Sequence, residues 1–245
     1  MLMQVIAVIP ARMGSTRLAS KPLVDIHGKP MVQWVYERAK AASSVHRVIV
    51  ATDHPQIVDA VREFGGEAIL TDSALPSGTD RVAAIADQVK GDVFVNVQGD
   101  EPFMDSRAID GAVKLVVSGR FSMATAMTPL RSQEELLDPG CVKVIADAQG
   151  RAIYFSRFAI PYSRGEVPHS GFISRRHVGL YVYTRETLMT FRSLAPSAIE
   201  KGEVLEQLRA LENGITIGIT EVDFVSVGVD TAEDLERARR LAIKS

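Results

Sequence analysis

Residues 4–23 read QVIAVIPARMGSTRLASKPL, and the fold follows from this stretch. Residues 4–10 form a short, nearly continuous apolar run, as expected of a strand covered on both faces. Residues 9–23 set Arg12, Arg17 and Lys21 on one loop, with Ala11, Gly14, Ser15 and Ala19 between them. The small residues leave the backbone room to approach a ligand. Three cations between a strand and a helix suit a polyphosphate, because charge-assisted hydrogen bonds to phosphate are strong. The loop is neither GxxxxGK[ST] nor GxGxxG. Taken alone it fits a solvated basic loop equally well.

Outward from this loop the periodicity alternates. A helix is expected over about residues 30–42, with Pro30 in its first turn. A buried strand follows at 47–52 (RVIVAT), then a helix at 55–64 ended by Gly65-Gly66, and a short strand at 67–70. This β-α-β-α-β opening argues for a parallel sheet with helices on both faces. Thr79 is expected to cap a helix reaching about residue 89. Residues 92–98 (DVFVNVQ) read as another buried strand running into Gly99-Asp100-Glu101-Pro102. A helix at 106–118 and a strand at 122–130 complete this half. Beyond 130 the pattern becomes antiparallel, with a hairpin at 142–146 and 152–155. A long turn-rich loop follows at 161–174, then a strand at 177–183. Helices are expected at 185–193 and 203–212, and a strand at 215–219. Thr231 and Asp234 form a capping box for the last helix. One doubly wound domain with a smaller antiparallel insertion accounts for all of this.

The totals bound the function. The chain has 245 residues, 46% apolar and 24% charged, an ordinary globular composition. Its net charge of -2 provides no global basic field for nucleic acid, so any anion site is a local cluster. The one cysteine, Cys141, excludes an internal disulfide and a multi-cysteine zinc site, and reads as a small buried hydrophobe. No apolar run reaches the roughly 20 residues of a membrane span. The N-terminus lacks the pattern of a signal peptide, so a reducing cytoplasm is the expected compartment. No GxSxG elbow, HExxH or CxxC supports a hydrolase, zincin or redox reading.

In open parallel sheets ligands bind beyond the carboxyl ends of the strands. Arg12, Arg17 and Lys21 follow the first strand, Thr52 and Asp53 close the second, and Asp100 and Glu101 follow DVFVNVQ. They are therefore expected to converge. Asp100 opposite a polyphosphate loop suits Mg²⁺, which takes one or two carboxylates plus phosphate oxygens. It fits a plain strand-end turn equally well. Asp230 is a second carboxylate at a strand-to-helix junction, where helix capping is the simpler reading. A return of the last strand beside Gln98 would let the two share metal. His177 on its own reads as structural or surface. Glu206 and Gln207 read as a polar helix face. Ser77-Gly78-Thr79 fits base recognition or a plain turn.

Read together, IPARMGSTRLASKPL, PSGTDR, NVQGDEP, YFSR, RRHVGLYVY, LEQLRALENG and GVDTAEDLE occur in this order across nearly the whole chain. The set resembles the CMP-KDO synthetases (3-deoxy-manno-octulosonate cytidylyltransferases). The opening loop alone resembles only the wider cytidylyltransferase superfamily. The resemblance implies the reaction of CTP with 3-deoxy-D-manno-octulosonate (KDO) to give CMP-KDO and pyrophosphate, with Mg²⁺, for lipopolysaccharide synthesis. It implies the Rossmann-like nucleotide-diphospho-sugar transferase α/β fold, usually as a homodimer. Residues 1–130 and 215–245 would form the nucleotide core, and 131–214 the sugar-binding and dimerisation part. Pro10, Ala11, Arg12, Arg17, Lys21, Ser77, Gly78 and Arg81 would hold CTP. Asp100 and Asp230 would bind Mg²⁺ and, with Lys21, carry catalysis. Gln98, Arg157, His177, Tyr181, Glu206 and Gln207 would surround the sugar acid. An 8-amino analogue of KDO is the alternative substrate, disfavoured by GDEP in place of GDQP. The family often has LPGKPL where this chain has Leu18-Ala19-Ser20-Lys21-Pro22-Leu23, and residues 164–174 match no motif of the family.

Overall fold

The computed structural model describes residues 3–14, 18–162, 164, 173–225 and 227–243. Arg17 and most of the 164–174 loop lie outside them. The first half contains β1 (Val5–Ala11), a single 3-10 turn (Lys21–Leu23), a small ribbon of β2 (Asp25–Ile26) and β3 (Lys29–Pro30), α1 (Met31–Lys40), β4 (Arg47–Thr52), α2 (Pro55–Glu63), β5 (Ala68–Leu70), α3 (Gly78–Gln88), β6 (Val93–Val97), α4 (Ser106–Val117) and β7 (Met123–Thr128). The second half contains α5 (Gln133–Leu137), β8 (Lys143–Ala146), β9 (Ala152–Ser156), β10 (Arg175–Thr184), α6 (Arg185–Ser193), α7 (Ala198–Glu203), α8 (Gln207–Glu212), β11 (Ile217–Glu221) and α9 (Ala232–Ala242). No helix among the described residues is long and apolar enough to cross a membrane.

The central sheet runs β11-β7-β10-β6-β1-β4-β5. β1 pairs in parallel with β4 and β6, β4 with β5, and β7 with β11. β10 runs antiparallel between β6 and β7, and the β8–β9 hairpin attaches to its start. The antiparallel segment therefore supplies a central strand of the main sheet as well as a flanking hairpin. The apolar run of β1 explains the two-faced core. Val5, Ala7 and Ile9 pack into one layer with Val32, Val35, Ile109 and Val113. Ile6 and Val8 pack into the other with Val82, Ile85 and Leu188. The alternation is the period of two that a strand imposes.

Several local expectations are corrected. Ser77, not Thr79, caps α3, accepting from Asp80 N–H, so Thr79 lies inside the first turn. Pro30 is the residue before α1 rather than its first turn. The continuous helix expected at 203–212 is broken. α7 ends as Val204 turns into the left-handed region at φ 54°, and the chain restarts at α8. This conformation is rare for a β-branched residue and occurs mainly where the surroundings enforce it. Here the Glu203 carboxylate accepts from Ser156 Oγ at 2.6 Å and from Arg157 N–H at 2.8 Å, which fixes the break. The Thr231–Asp234 capping box forms as expected.

Candidate active site

Two cavities open at the carboxyl ends of β1 and β6. The first, of about 350 Å³, lies between the loop after β1, the turn before α3 and the turn after β6. Pro10, Ala11, Arg12 and Lys21 line one side, and Ser77, Gly78 and Arg81 the other. The strand-end turn passes very close to β1. A side chain at Gly99 would place its Cβ 2.7 Å from the Pro10 carbonyl oxygen, so glycine is required there.

The second cavity, of about 930 Å³, is bounded by β10, the break between α7 and α8, and α5. His177, Tyr181, Glu206, Gln207 and Arg157 line it. Gln98, Asp100 and Asp230 line both cavities, so the two meet at one wall. Gly179 sits in the irregularity of β10 between Val178 and Tyr181, where bulges commonly re-aim side chains beside active sites.

Lys21 occupies the junction. Its Nζ donates to Asp100 Oδ2 at 2.8 Å and to Asp230 Oδ1 at 2.7 Å. The backbone brings these carboxylates together, because Val229 N–H donates to the Asp100 carbonyl at 2.9 Å. Segment 222–225 and 227–230 returns beside the end of β6, as a shared site requires, but without regular strand pairing. Burial lowers the Lys21 pKa, but Asp100 and Asp230 outweigh it and hold the ammonium above its ordinary 10.5. Among the described residues no group of three His, Cys, Asp or Glu side chains gathers to enclose a metal. Two carboxylates converging on one cation are nevertheless the donor set Mg²⁺ takes when phosphate oxygens complete its shell.

Two expected contact residues have their cationic heads engaged elsewhere. The buried Arg81 donates to Asp53 Oδ2 at 3.0 Å and to Thr71 Oγ1 at 2.6 Å, so it braces the first cavity's wall from inside. Arg157 donates from Nε to the Glu203 carbonyl at 2.8 Å and from Nη1 to the Pro139 carbonyl at 3.0 Å. It holds the rim of the second cavity. Glu206 is not on a helix face. It precedes α8 and accepts from Thr79 Oγ1 at 2.7 Å. Gln207 is 2% exposed, and its Nε2 has no hydrogen-bond partner among the described residues. An unpaired buried amide donor is uncommon, and this one stands directly behind the wall of the second cavity.

His177 is neutral. Burial pushes its pKa down to about 3. Its Nε2 lies 2.9 Å from Thr125 Oγ1, whose own hydroxyl donates to the Leu180 carbonyl at 2.6 Å. Nε2 therefore carries the proton, and Nδ1 is the acceptor. Burial also pushes the Tyr181 phenol well above 10, so it stays a neutral donor. The sequence reading singled out neither Arg131 nor Arg176, which also line this cavity. Arg176 adjoins His177 on β10 and was legible from its place in RRHVGLY. Arg131 carries no motif.

A cationic loop, two facing carboxylates and paired cavities at the carboxyl ends of a largely parallel sheet define a nucleotidyltransferase. Residues 6–217 match the cytidylyltransferase family. A 3-deoxy-manno-octulosonate cytidylyltransferase of Geotalea daltonii is 48% identical over 96% of each chain, and one of Leptospira biflexa is 48% identical over 95% of this chain and 94% of its own. A solved structure of CMP:2-keto-3-deoxy-manno-octonic acid synthetase complexed with CTP superposes with a TM-score of 0.92 at 41% identity, covering 98% of this chain and 99% of that one. The chain belongs to the 3-deoxy-manno-octulosonate cytidylyltransferase family.

Proposed function

We propose that this chain transfers the cytidylyl group of CTP to KDO, releasing pyrophosphate, as the names of its relatives indicate for them. The observation that carries this reading is the meeting of two cavities at Gln98, Asp100 and Asp230, with Lys21 across the junction. The first cavity would take CTP, its phosphates toward Arg12 and Lys21 and its base toward Ser77 and Gly78. The second would take the sugar acid between Gln207 and the neutral His177. The anomeric hydroxyl oxygen then attacks the α-phosphorus in line. A new P–O bond forms, the bond to the β-phosphate breaks, pyrophosphate leaves with the electron pair, and the hydroxyl proton passes to solvent. The protein's part is positioning and charge neutralisation, which dominate such transfers.

Asp100 and Asp230 would hold Mg²⁺. Bound there, the ion offsets phosphate charge and lowers the pKa of an adjacent hydroxyl. Lys21, which pairs with both carboxylates, would release one or both of them and turn to the CTP phosphates. A homodimer belongs to the same proposal, supported by the exposed Ile153 and Phe158 on and after β9. A cytoplasmic site of action belongs to the same proposal, since a chain with one cysteine needs no oxidising compartment to form an internal disulfide. Pyrophosphate release from CTP and Mg²⁺ tests the reading, with KDO, its 8-amino analogue and sialic acid in parallel. Release with KDO is expected. Release with none of them, from folded protein, would overturn it.

A further inference from the structure

Two polar residues lie where the core should be apolar. Asn96 is fully buried in the middle of β6, and Thr79 is 3% exposed in the first turn of α3. A buried amide or hydroxyl is costly unless it is hydrogen-bonded, and here the bonds run in one direction from Gln98 to Glu206, with the buried Tyr183 phenol also against the Thr79 hydroxyl. Gln98 Nε2 donates to Asn96 Oδ1 at 3.0 Å. Asn96 Nδ2 donates to Thr79 Oγ1 at 3.5 Å. Thr79 Oγ1 donates to Glu206 Oε2 at 2.7 Å. Every donor points the same way and the chain ends on a carboxylate, an arrangement in which each bond polarises the next.

The ends of this chain are the informative part. Gln98 lines both cavities, and Glu206 lines the second. Thr79 follows Ser77 and Gly78, which line the first, and an added Gly78 Cβ would lie 3.8 Å from Gln98 Nε2. Thr79 thus joins the turn that walls the first cavity to a carboxylate that walls the second. The left-handed Val204 and the break between α7 and α8 leave Glu206 reachable by Thr79.

We propose that Thr79 is a positioning residue whose hydroxyl fixes Glu206 to the nucleotide-side turn, so that filling one cavity orders the other. This rests on the cytidylyltransferase reading. Thr79 lines neither cavity. Its effect is a coupling between two sites, and such coupling is reciprocal.

The test is an initial-rate grid over CTP and KDO for the wild type, Thr79→Ser and Thr79→Val, with thermal melts to confirm folding. In the wild type, saturating CTP is expected to lower the KM for KDO, and saturating KDO to lower the KM for CTP. Thr79→Val keeps the volume and removes the donor. It is expected to raise the KM for KDO about tenfold, the effect of losing a hydrogen bond to a charged group, and to bring the mutual effect close to none. Thr79→Ser is expected to restore both. If Thr79→Val does not fold, Thr79→Cys, a weaker donor of similar size, takes its place. Independent substrates in the wild type, or a Thr79→Val enzyme with wild-type KM and coupling, would overturn the inference. So would Thr79→Ser being as impaired as Thr79→Val, because the methyl group would then be the part that matters. A wild type that releases no pyrophosphate would instead remove the proposed function, and this inference with it.

Discussion

Lys21 reaches Asp230 across 209 positions of sequence, Nζ to Oδ1 at 2.7 Å, and the same ammonium holds Asp100 at 2.8 Å. The single ammonium bridges the two carboxylates and offsets only one of their two negative charges. Under the proposed function, an anionic nucleotide and Mg²⁺ entering here would make this cluster exchange partners. The first two predictions follow from that exchange.

Asp100→Asn and Asp230→Asn each keep the shape and the hydrogen bond to Lys21 but remove a charge. Each is expected to lower kcat about 10²–10³-fold, as loss of one preorganised charge-stabilising group does elsewhere. The fold should persist, because both residues lie on turns at the sheet edge rather than in the core. Steady-state kinetics beside a thermal melt checks this. A near wild-type rate in either variant would remove its assignment to the metal.

Lys21→Ala removes the cation shared by both carboxylates. The KM for CTP is expected to rise about tenfold or more, through loss of a charge-assisted hydrogen bond to phosphate, while the KM for KDO changes little. The pH dependence has a definite sign. Because the ammonium is held above its ordinary 10.5, its stabilising contribution is complete below that value and fades only as pH rises through the higher folded pKa. Between pH 7 and 10 no decline in CTP use should arise from Lys21. A rise confined to the KM for KDO would show that the loop faces the sugar.

His177 carries a prediction about acid. Its folded pKa of about 3 lies below the ordinary imidazole value of 6.5. Between these values the unfolded chain binds the proton and the folded one does not, so stability falls as pH drops through this window and levels off near pH 3. NMR of the ring should show a neutral imidazole with the proton on Nε2 down to about pH 4. Titration near 6.5 in the folded protein would contradict the half-buried placement against Phe155 and Thr125.

How much of this was legible in the sequence depends on the range of the interaction. Residues 4–10, 47–52 and 92–98 announced their strands because apolar runs are local, and the Thr231–Asp234 cap was legible because it spans one helical turn. The convergence of Arg12, Lys21 and Asp100 followed from strand ends in a parallel sheet. The position of β10 between β6 and β7 did not, because strand order is set by long-range packing. The break at Val204 was hidden because 203–212 carries continuous helical periodicity, and what interrupts it is Glu203 bonding to Ser156 and Arg157 far away in sequence. Arg81 looked like a ligand by its motif. Its inward turn depends on Asp53, whose pairing only the folded chain reveals.

Lys143 shows how such hidden contacts shape the rim of the second cavity. It is fully buried, and its ammonium donates to three backbone carbonyls: Asp138 at 2.8 Å, Cys141 at 2.6 Å and Arg157 at 2.5 Å. These carbonyls belong to the turn before β8 and the segment after β9, so one side chain ties the two ends of the hairpin. Through Arg157, whose guanidinium grips the Glu203 and Val204 carbonyls, the tie extends to the rim of the second cavity. Lys143→Met keeps most of the volume but leaves three acceptors unmet, and is expected to destabilise the fold by about 2–4 kcal/mol. The urea midpoint should fall with the slope unchanged, which marks a loss of stability rather than a change of denatured state. Because the lost tie leads to the second cavity, proposed to take the sugar acid, the KM for KDO should rise more than that for CTP. An unchanged midpoint would mean that water or neighbouring donors satisfy these carbonyls as well as the ammonium does, and a KM change shared equally by both substrates would separate Lys143 from the second cavity.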